Sequence, residues 1–326
     1  MKSVVQGIGH AVPDKVMTNH DLAKLVDTND EWITQRTGIK ERRICRDDEA
    51  ASDLAVAASR EALAKSGVDP MDLDMVILAT VTGDYIFPST SGIVQDAIGA
   101  KRAGAFDVQA ACAGTIYALS VADAMLKVGH AKHILVVGVD TLSKFVNWED
   151  RSTCVLFGDG AGAMVLGAEE NTDRGIVKTV LLSDGSGAQH ICLEVGGSRY
   201  PLARHYSEPH NHYIYMNGAE TYRFAVKAIG DACCKVLEEA GLHSDDVDLF
   251  VPHQANLRII ESAAARIELP PDKVFVNIHK YGNTSAGSIP LGLYEAEKEG
   301  RLKKGDLVLT VGFGAGLVWG ANLIRW

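Results

Sequence analysis

The chain has 326 residues, 47% hydrophobic and 23% charged, and a formal net charge of −10. That is the composition of a globular protein with material for one large core or two domains, and the acidic balance argues against a nucleic-acid or anionic-membrane binder, so that an acidic partner would need a local basic patch. No apolar stretch reaches the ~18 residues of a membrane span, the opening MKSVVQG lacks the apolar core and cleavage site of a secretory signal, and cysteines without paired or zinc-ligand spacing point to a reducing cytosol.

The elements alternate between helix and strand, the pattern of an α/β fold with covered sheets. Ser52 and Asp53 read as a helix cap, Leu54, Ala57, Leu63 and Ala64 follow at helical spacing, and Gly67 ends the run. Met75–Thr80 reads as a buried strand and Gly104–Val108 as another. A helix begins near Cys112 and carries Ile116, Leu119, Val121, Ala122 and Met125 on one face. His133–Val139 is the next strand. Gly167–Asp173 (GAEENTD) reads as a linker, which places a boundary near Leu166–Arg174 and divides the chain into residues 1–170 and 171–326. Beyond it come a helix over Tyr222–Leu237 ended by Gly241, with Cys233 and Cys234 as packing residues, and strands at Leu249–Val251, Phe275–Ile278 and Leu307–Val311. Each half runs helix, strand, strand, helix, strand. Asp74–Thr80 aligns with Asp248–Gln254, and Phe106–Gly114 aligns with Phe275–Gly287. The period is that of a domain duplication, too long for a solenoid.

Parallel strands carry ligands beyond their carboxyl ends. Cys112 follows one strand end, flanked by Ala110, Ala111, Ala113 and Gly114, which leave room for a substrate. A thiol at a strand-to-helix turn faces the positive end of the helix dipole, worth about 0.3–1 kcal/mol and ~2 if partly buried. This lowers its pKa by about one unit, with burial opposing. Three other strand ends carry Pro252–Arg258 (PHQANLR), His279–Ser288 (HKYGNTSAGS) and Gly312–Gly316 (GFGAG). Together they offer a thiol, an imidazole, an amide and backbone N–H groups. Each has a plain alternative: Cys112 as a small buried hydrophobe, His253 as a satisfied histidine at a helix start, Asn283 as a helix cap, and the glycines as a tight turn. Four such coincidences on successive strand ends favour a site.

ACAG around Cys112, PHQAN around His253 and GNTSA around Asn283 resemble the signatures of beta-ketoacyl-[acyl-carrier-protein] synthase III, the initiating condensing enzyme of dissociated bacterial fatty-acid synthesis. The resemblance spans essentially the whole chain, including Asp30–Ile33, Arg36–Ile39, Phe157–Ala163 and Gly316–Gly320. It implies a thiolase-like fold of five layers (αβαβα) built from two duplicated halves, a homodimer, and decarboxylative condensation of a short acyl-CoA, acetyl-CoA being expected, with malonyl-[acyl-carrier-protein]. Cys112 would carry the acyl group. His253 and Asn283 would hydrogen-bond the enolate, and the backbone N–H groups of Cys112 and Ala315 would form the oxyanion hole. Ala315 stands where the family usually has glycine, which matters if φ must be positive there. Thr28, Trp32, Arg36, Arg151 and Asn256 resemble the CoA and pantetheine contacts, with Trp32 and Arg151 as the adenine sandwich. Phe87 resembles the residue that reaches across the dimer to close the acyl pocket. Gln254, Ala255, Asn256, Leu257, Arg258, Arg223 and Arg266 would meet the acidic carrier protein, the plain alternative for the arginines being a solvated face.

No cofactor or metal is expected, since both thioesters are substrates. Gly158–Gly162 (GDGAG) lacks the Gly-Lys-Ser/Thr of a phosphate loop, and Gly7-Ile8-Gly9 opens no dinucleotide-binding helix. His205, His210 and His212 lie in a polar loop with Pro209 and no cysteine, and read as a segment near the substrate entrance rather than a metal site. The competing readings are a Cys-His acyltransferase or thioesterase on the same fold, a condensing paralogue of a secondary-metabolite pathway, and a catalytically silent scaffold subunit.

Overall fold

Two sheets laid out on one plan carry the computed structural model, which describes residues 1–205 and 212–326. The first contains β1 (Lys2–Ala11), β2 (Met75–Ala79), β3 (Gly104–Val108), β4 (His133–Thr141) and β5 (Asp159–Glu169), in the order β1-β5-β4-β2-β3. The second contains β6 (Gly175–Ser183), β7 (Leu249–Pro252), β8 (Leu307–Gly314) and β9 (Val318–Arg325), in the order β6-β9-β8-β7. Each sheet begins with two antiparallel pairings and continues with parallel ones. The duplication read from the sequence is therefore a duplication of topology.

The expected strand over Phe275–Ile278 is reduced to a single parallel bridge between Phe250 and Val274. The amide of Phe275 still donates to Phe250 O at 2.9 Å. The amides of Asn277 and Ile278 then turn to the side-chain Oε1 of Gln254, at 3.0 and 3.1 Å. A side chain has replaced the neighbouring strand as acceptor, and the chain peels into a short helix over Ile278–Tyr281.

Seven helices complete the framework: α1 (Asp30–Thr37), α2 (Ala51–Ser66), α3 (Thr90–Ala97), α4 (Gly114–Lys127), α5 (Gly218–Ala240), α6 (Leu257–Arg266) and α7 (Ser288–Lys298). Val76 and Leu78 of β2 point to the outer face and pack with Leu54, Ala58 and Ala62 of α2 and Val94 of α3. Ile77 and Ala79 alternate to the inner face. There they meet Ile116 and Leu119 of α4, Ile289 and Leu293 of α7, and Val251, Val308 and Ile324 of the second sheet. The far face of that sheet is covered by Ile229 and Val236 of α5 and Ile259 and Ala263 of α6. The result is five layers, αβαβα. Because α4 lies between two sheets, its buried residues (Ile116, Ala118, Leu119, Ala122, Leu126) spread over about 160° of the helix, a wider face than the roughly 100° stripe of a surface helix.

Gly67 and Gly241 end their helices in the left-handed conformation, at φ +70° and +67°. The start of α2 differs from expectation. Its N-cap is Ala50, whose N–H is held by the Asp53 carboxylate at 2.8 Å, while Ser52 is drawn aside by Asp84. The GDGAG segment is not a loop but the start of β5. A Cβ on Gly162 would lie 2.7 Å from Pro290 Cβ and 2.9 Å from Leu291 N, so the glycine lets α7 rest on the strand. Gly162→Ala is expected to cost about 1–3 kcal/mol of stability by overpacking, read as a lower denaturation midpoint; an unchanged midpoint would contradict this packing. The linker also contracts, since Gly167–Glu169 belong to β5 and only residues 170–174 join the two sheets.

No described helix is long and apolar enough to cross a membrane. Among the described residues no three His, Cys, Asp or Glu side chains gather as a metal site. His210 and the His205 side chain lie outside the described residues.

Candidate active site

Cys112 sits in a single 3-10 turn, Ala111–Ala113, between β3 and α4. Ala111 takes φ +43°, which turns the chain sharply and lifts Cys112 ahead of the helix proper. Burial pushes the thiol up to about 12; the Ser285 hydroxyl pulls it down and the Asp140 carboxylate adds to the rise. Burial, set against the helix dipole in the sequence reading, is the larger effect: α4 starts at Gly114, two residues further on, and desolvation exceeds a fraction of a unit charge. A thiol held up in this way is protonated at rest. Iodoacetamide alkylation of Cys112 should rise about tenfold per pH unit from pH 7 to 10 without levelling, because the thiolate fraction grows that way below the pKa. A plateau near pH 8 would contradict the burial.

His253 follows β7 and is buried, with its Nδ1 2.5 Å from Ser288 Oγ at the start of α7. Burial pushes its pKa down to about 3, so the ring is neutral. The Ser288 hydroxyl, which also accepts the Gln254 N–H at 3.3 Å, can donate to Nδ1 or accept from it. The buried Nε2 has no protein partner among the described residues and can therefore offer either an N–H or a lone pair. The Phe313 ring stands edge-on to the imidazole, 5.8 Å between centroids.

Asn283 is anchored across the junction of the halves. Its backbone N–H donates to Leu156 O at 2.9 Å, and its carbonyl accepts from Gly158 N–H at 3.0 Å. Its side-chain Oδ1 accepts the Ser285 N–H at 2.8 Å, which leaves the amide NH2 as the outward donor. Ser285, in the same loop, bears on the Cys112 thiol. The loop from Asn283 to Ser288 thus joins the Cys112 turn to His253 by direct contacts. Gly312 and Gly314 close the other side: a Cβ on Gly314 would fall 2.6 Å from Cys112 N. Ala315 is not in the left-handed region; the turn's left-handed residue is Gly316, at φ +147°, so the methyl of Ala315 is accommodated.

The outer residues divide. Trp32, on α1, has the guanidinium of Arg36 4.7 Å and that of Arg151 5.5 Å from its ring centroid. Arg151 is also bonded to Asp27 O at 2.9 Å, and the buried Thr28 Oγ1 beside it lacks a partner among the described residues. Asn256 caps α6 through Arg258 N–H and donates to Arg36 O at 2.9 Å, which leaves one amide N–H. Gln254 is withdrawn from the carrier-protein set: it is buried, and its amide is spent on Pro252 O, Phe275 O and the amides of Asn277 and Ile278. Ala255 and Leu257 remain half-buried at the start of α6. Arg223 is paired with Glu220 and Arg266 with Asp231; of the three arginines only Arg258 has no carboxylate partner among the described residues. Phe87 is 83% exposed, next to Ile86 at 84% and Tyr85 at 65%, and closes no pocket within this chain. Sequence reading missed Ser288 and Asp140. Ser288 lies on the face of α7 turned to His253, and Asp140 is a lone acid at the end of an apolar strand, which is the one signal that marked it.

The family profiles described as 3-oxoacyl-[acyl-carrier-protein (ACP)] synthase III and its C-terminal region match residues 106–185 and 237–326. A beta-ketoacyl-[acyl-carrier-protein] synthase III of Caldanaerobacter subterraneus is 51% identical over 99% of this chain and 97% of its own. One of Symbiobacterium thermophilum is 52% identical over the same shares. The crystal structure of 3-oxoacyl-[acyl-carrier-protein] synthase III from Aquifex aeolicus superposes with a TM-score of 0.92 at 47% identity, covering 99% of this chain and 100% of that one. With its five-layered fold and a thiol, imidazole and amide joined through one loop, the chain belongs to the beta-ketoacyl-[acyl-carrier-protein] synthase III family of acyltransferase-type condensing enzymes.

Proposed function

We propose that the chain condenses acetyl-CoA with malonyl-[acyl-carrier-protein] in two half-reactions on Cys112, giving a beta-ketoacyl-[acyl-carrier-protein], CoA and carbon dioxide. The observation that carries this reading is the Asn283–Ser288 loop, which binds thiol, amide and imidazole into one unit.

In the first half-reaction the Cys112 sulfur attacks the acyl carbonyl, the C–S bond to CoA breaks, and the thiol proton passes by the His253 Nε2 lone pair to the departing CoA sulfur. The oxygen of the tetrahedral intermediate takes hydrogen bonds from the Cys112 and Ala315 N–H groups. In the second, the malonyl thioester loses carbon dioxide. Between the two steps, exchange with water moves the ring proton from Nδ1 to Nε2 while Ser288 Oγ turns to donate to Nδ1, and the enolate oxygen then accepts from Nε2–H and from the Asn283 amide. The enolate carbon attacks the acyl-Cys112 carbonyl, and the Cys112 sulfur leaves and is reprotonated from solvent.

Trp32, Arg36 and Arg151 hold the CoA adenine, with Thr28 nearby and Asn256 giving its spare N–H to the pantetheine arm. An adenine slid between Trp32 and Arg151 needs about 7 Å, two contacts of ~3.5 Å, so Arg151 swings out from its present 5.5 Å. Arg258 leads the carrier-protein contact, with Leu257 and Ala255 beside it and Arg223 and Arg266 at its margin. The chain acts as a cytoplasmic homodimer, the exposed Tyr85–Phe87 loop of each copy closing the acyl pocket of the other. A Phe at that wall favours a short primer, and no bound cofactor or metal enters the chemistry.

Radiolabelled acetyl-CoA with malonyl-[acyl-carrier-protein], followed for carbon dioxide and product, tests the reading. Acetyl-Cys112 that never condenses would support a plain acyltransferase, and no acylation would refute both. Acetyl-CoA should turn over at least about tenfold faster than a long-chain acyl-CoA; equal turnover would overturn the primer assignment.

A further inference from the structure

The two halves carry equivalent turns ahead of equivalent helices. Ala111–Ala113 leads into α4, and Ser285–Gly287 leads into α7. Each is one 3-10 turn, and each opens on a left-handed residue, Ala111 at φ +43° and Ser285 at φ +48°. Ala286 is thus the structural counterpart of Cys112. The strands behind the turns correspond as well. A Cβ on Gly138 of β4 would meet Ala286 O at 2.2 Å, and one on Gly312 of β8 would meet Cys112 O at 3.0 Å. Two residues further along, the correspondence breaks: β4 has Asp140, where β8 has Gly314.

Asp140 is fully buried. Its Oδ1 accepts Thr80 Oγ1 at 2.9 Å, Val81 N at 2.8 Å, Thr82 N at 3.1 Å and Thr82 Oγ1 at 2.8 Å. Its Oδ2 accepts the Ala286 N–H at 3.2 Å. Every one of these partners except the two hydroxyls can only donate, which favours the carboxylate, while burial pushes the acid's pKa up. No cation pairs with it among the described residues. A buried, unpaired carboxylate is costly to keep. The Ser285 hydroxyl, buried without a well-formed partner, lies between it and the Cys112 thiol and bears on both. On the other side of the pseudo-symmetry the bare Gly314 leaves the Cys112 N–H uncovered, since a Cβ there would fall 2.6 Å from that nitrogen.

We propose that Asp140 is a positioning residue for the condensation: by occupying the Ala286 N–H it locks the turn that orients Asn283, while glycine at the matching position, Gly314, keeps the equivalent Cys112 N–H open to the substrate oxygen. The inference rests on the reading of Cys112 as the acylated residue and Asn283 as the enolate donor. It gives duplicated turns opposite uses, one closed as a scaffold and one left open for chemistry. The link from Asp140 to Asn283 is short: Ala286 follows Ser285, whose N–H holds the Asn283 Oδ1.

Asp140→Asn keeps the shape, removes the charge and sets an N–H against that of Ala286. In this variant decarboxylation of malonyl-[acyl-carrier-protein] should fall about tenfold or more, while acetylation of Cys112, read by protein mass, changes less than about threefold. Asp140 is the charged group acting on the Cys112 thiol, so the alkylation–pH profile of Cys112 should also move to lower pH, a change that loosened packing alone does not produce. Equal loss in both half-reactions with an unmoved profile, or no loss in either, overturns the proposal. Wild-type enzyme that never acetylates Cys112 instead refutes the reading of the site beneath it. If the Asn variant does not fold, hydrogen exchange of the wild-type protein decides: the Ala286 amide should exchange at least about tenfold more slowly than the Cys112 amide, and equal rates overturn the proposal.

Discussion

Cys112→Ser is expected to lower overall condensation on the order of 10⁴-fold or more and to abolish the acetyl adduct seen by protein mass after incubation with acetyl-CoA. The thiol already starts from a high pKa, pushed to about 12 by burial. It reacts because sulfur remains a strong nucleophile once its proton is taken within the complex. A serine hydroxyl is far less acidic, and it would have to lose its proton to a neutral histidine whose own pKa burial has pushed down to about 3. The fold should survive, since Ser is close to Cys in size. Retention of more than a few per cent of turnover would show that the acyl group travels by another residue.

Asn283→Ala should reduce decarboxylation of malonyl-[acyl-carrier-protein] by about 10²–10³-fold, the usual cost of one oxyanion donor at ~2.7–4 kcal/mol. Acetylation of Cys112 should change by less than about threefold, because its oxyanion is held by backbone N–H groups. The asymmetry follows from the fixed orientation of the amide: Oδ1 is occupied by the Ser285 N–H at 2.8 Å, so only donors face outward. Asn283→Asp, equal in size, puts a negative oxygen opposite the enolate and should be at least as damaging. Carbon dioxide release and acyl-enzyme formation, measured separately, check both variants. Equal loss in the two half-reactions would contradict the role assigned to Asn283.

The strands with dense apolar runs, such as Met75–Ala79 and His133–Thr141, were legible in the sequence because burial on both faces leaves an unbroken signal. β5 was not, because Gly160 and Gly162 interrupt it, and those glycines are explained only by helix α7 and the Thr284 side chain lying against them. The reverse error occurred at Phe275–Ile278. The residues suit a strand, yet the Gln254 side chain, twenty-odd positions earlier, takes the amides a strand would use. The same Gln254 was read as part of a docking surface, because a polar residue beside a basic one looks exposed until its buried partners are known. Trp32, Arg36 and Arg151 show the opposite case. The first two are four residues apart on one helix, so their contact is local, whereas Arg151 reaches them from the segment before β5.

The sequence by itself determined the α/β class and the internal duplication, and it singled out Cys112, His253 and Asn283 as candidates, since periodicity and residue type are local properties that survive without coordinates. The tertiary structure alone decided the electrostatic state of the site. A thiol pushed up, a neutral histidine backed by Ser288, and a buried acid at Asp140 with no cation beside it among the described residues all depend on desolvation and on partners brought from distant strands. Both effects are set by what surrounds a group in three dimensions, and a linear chain does not carry that information at any single position.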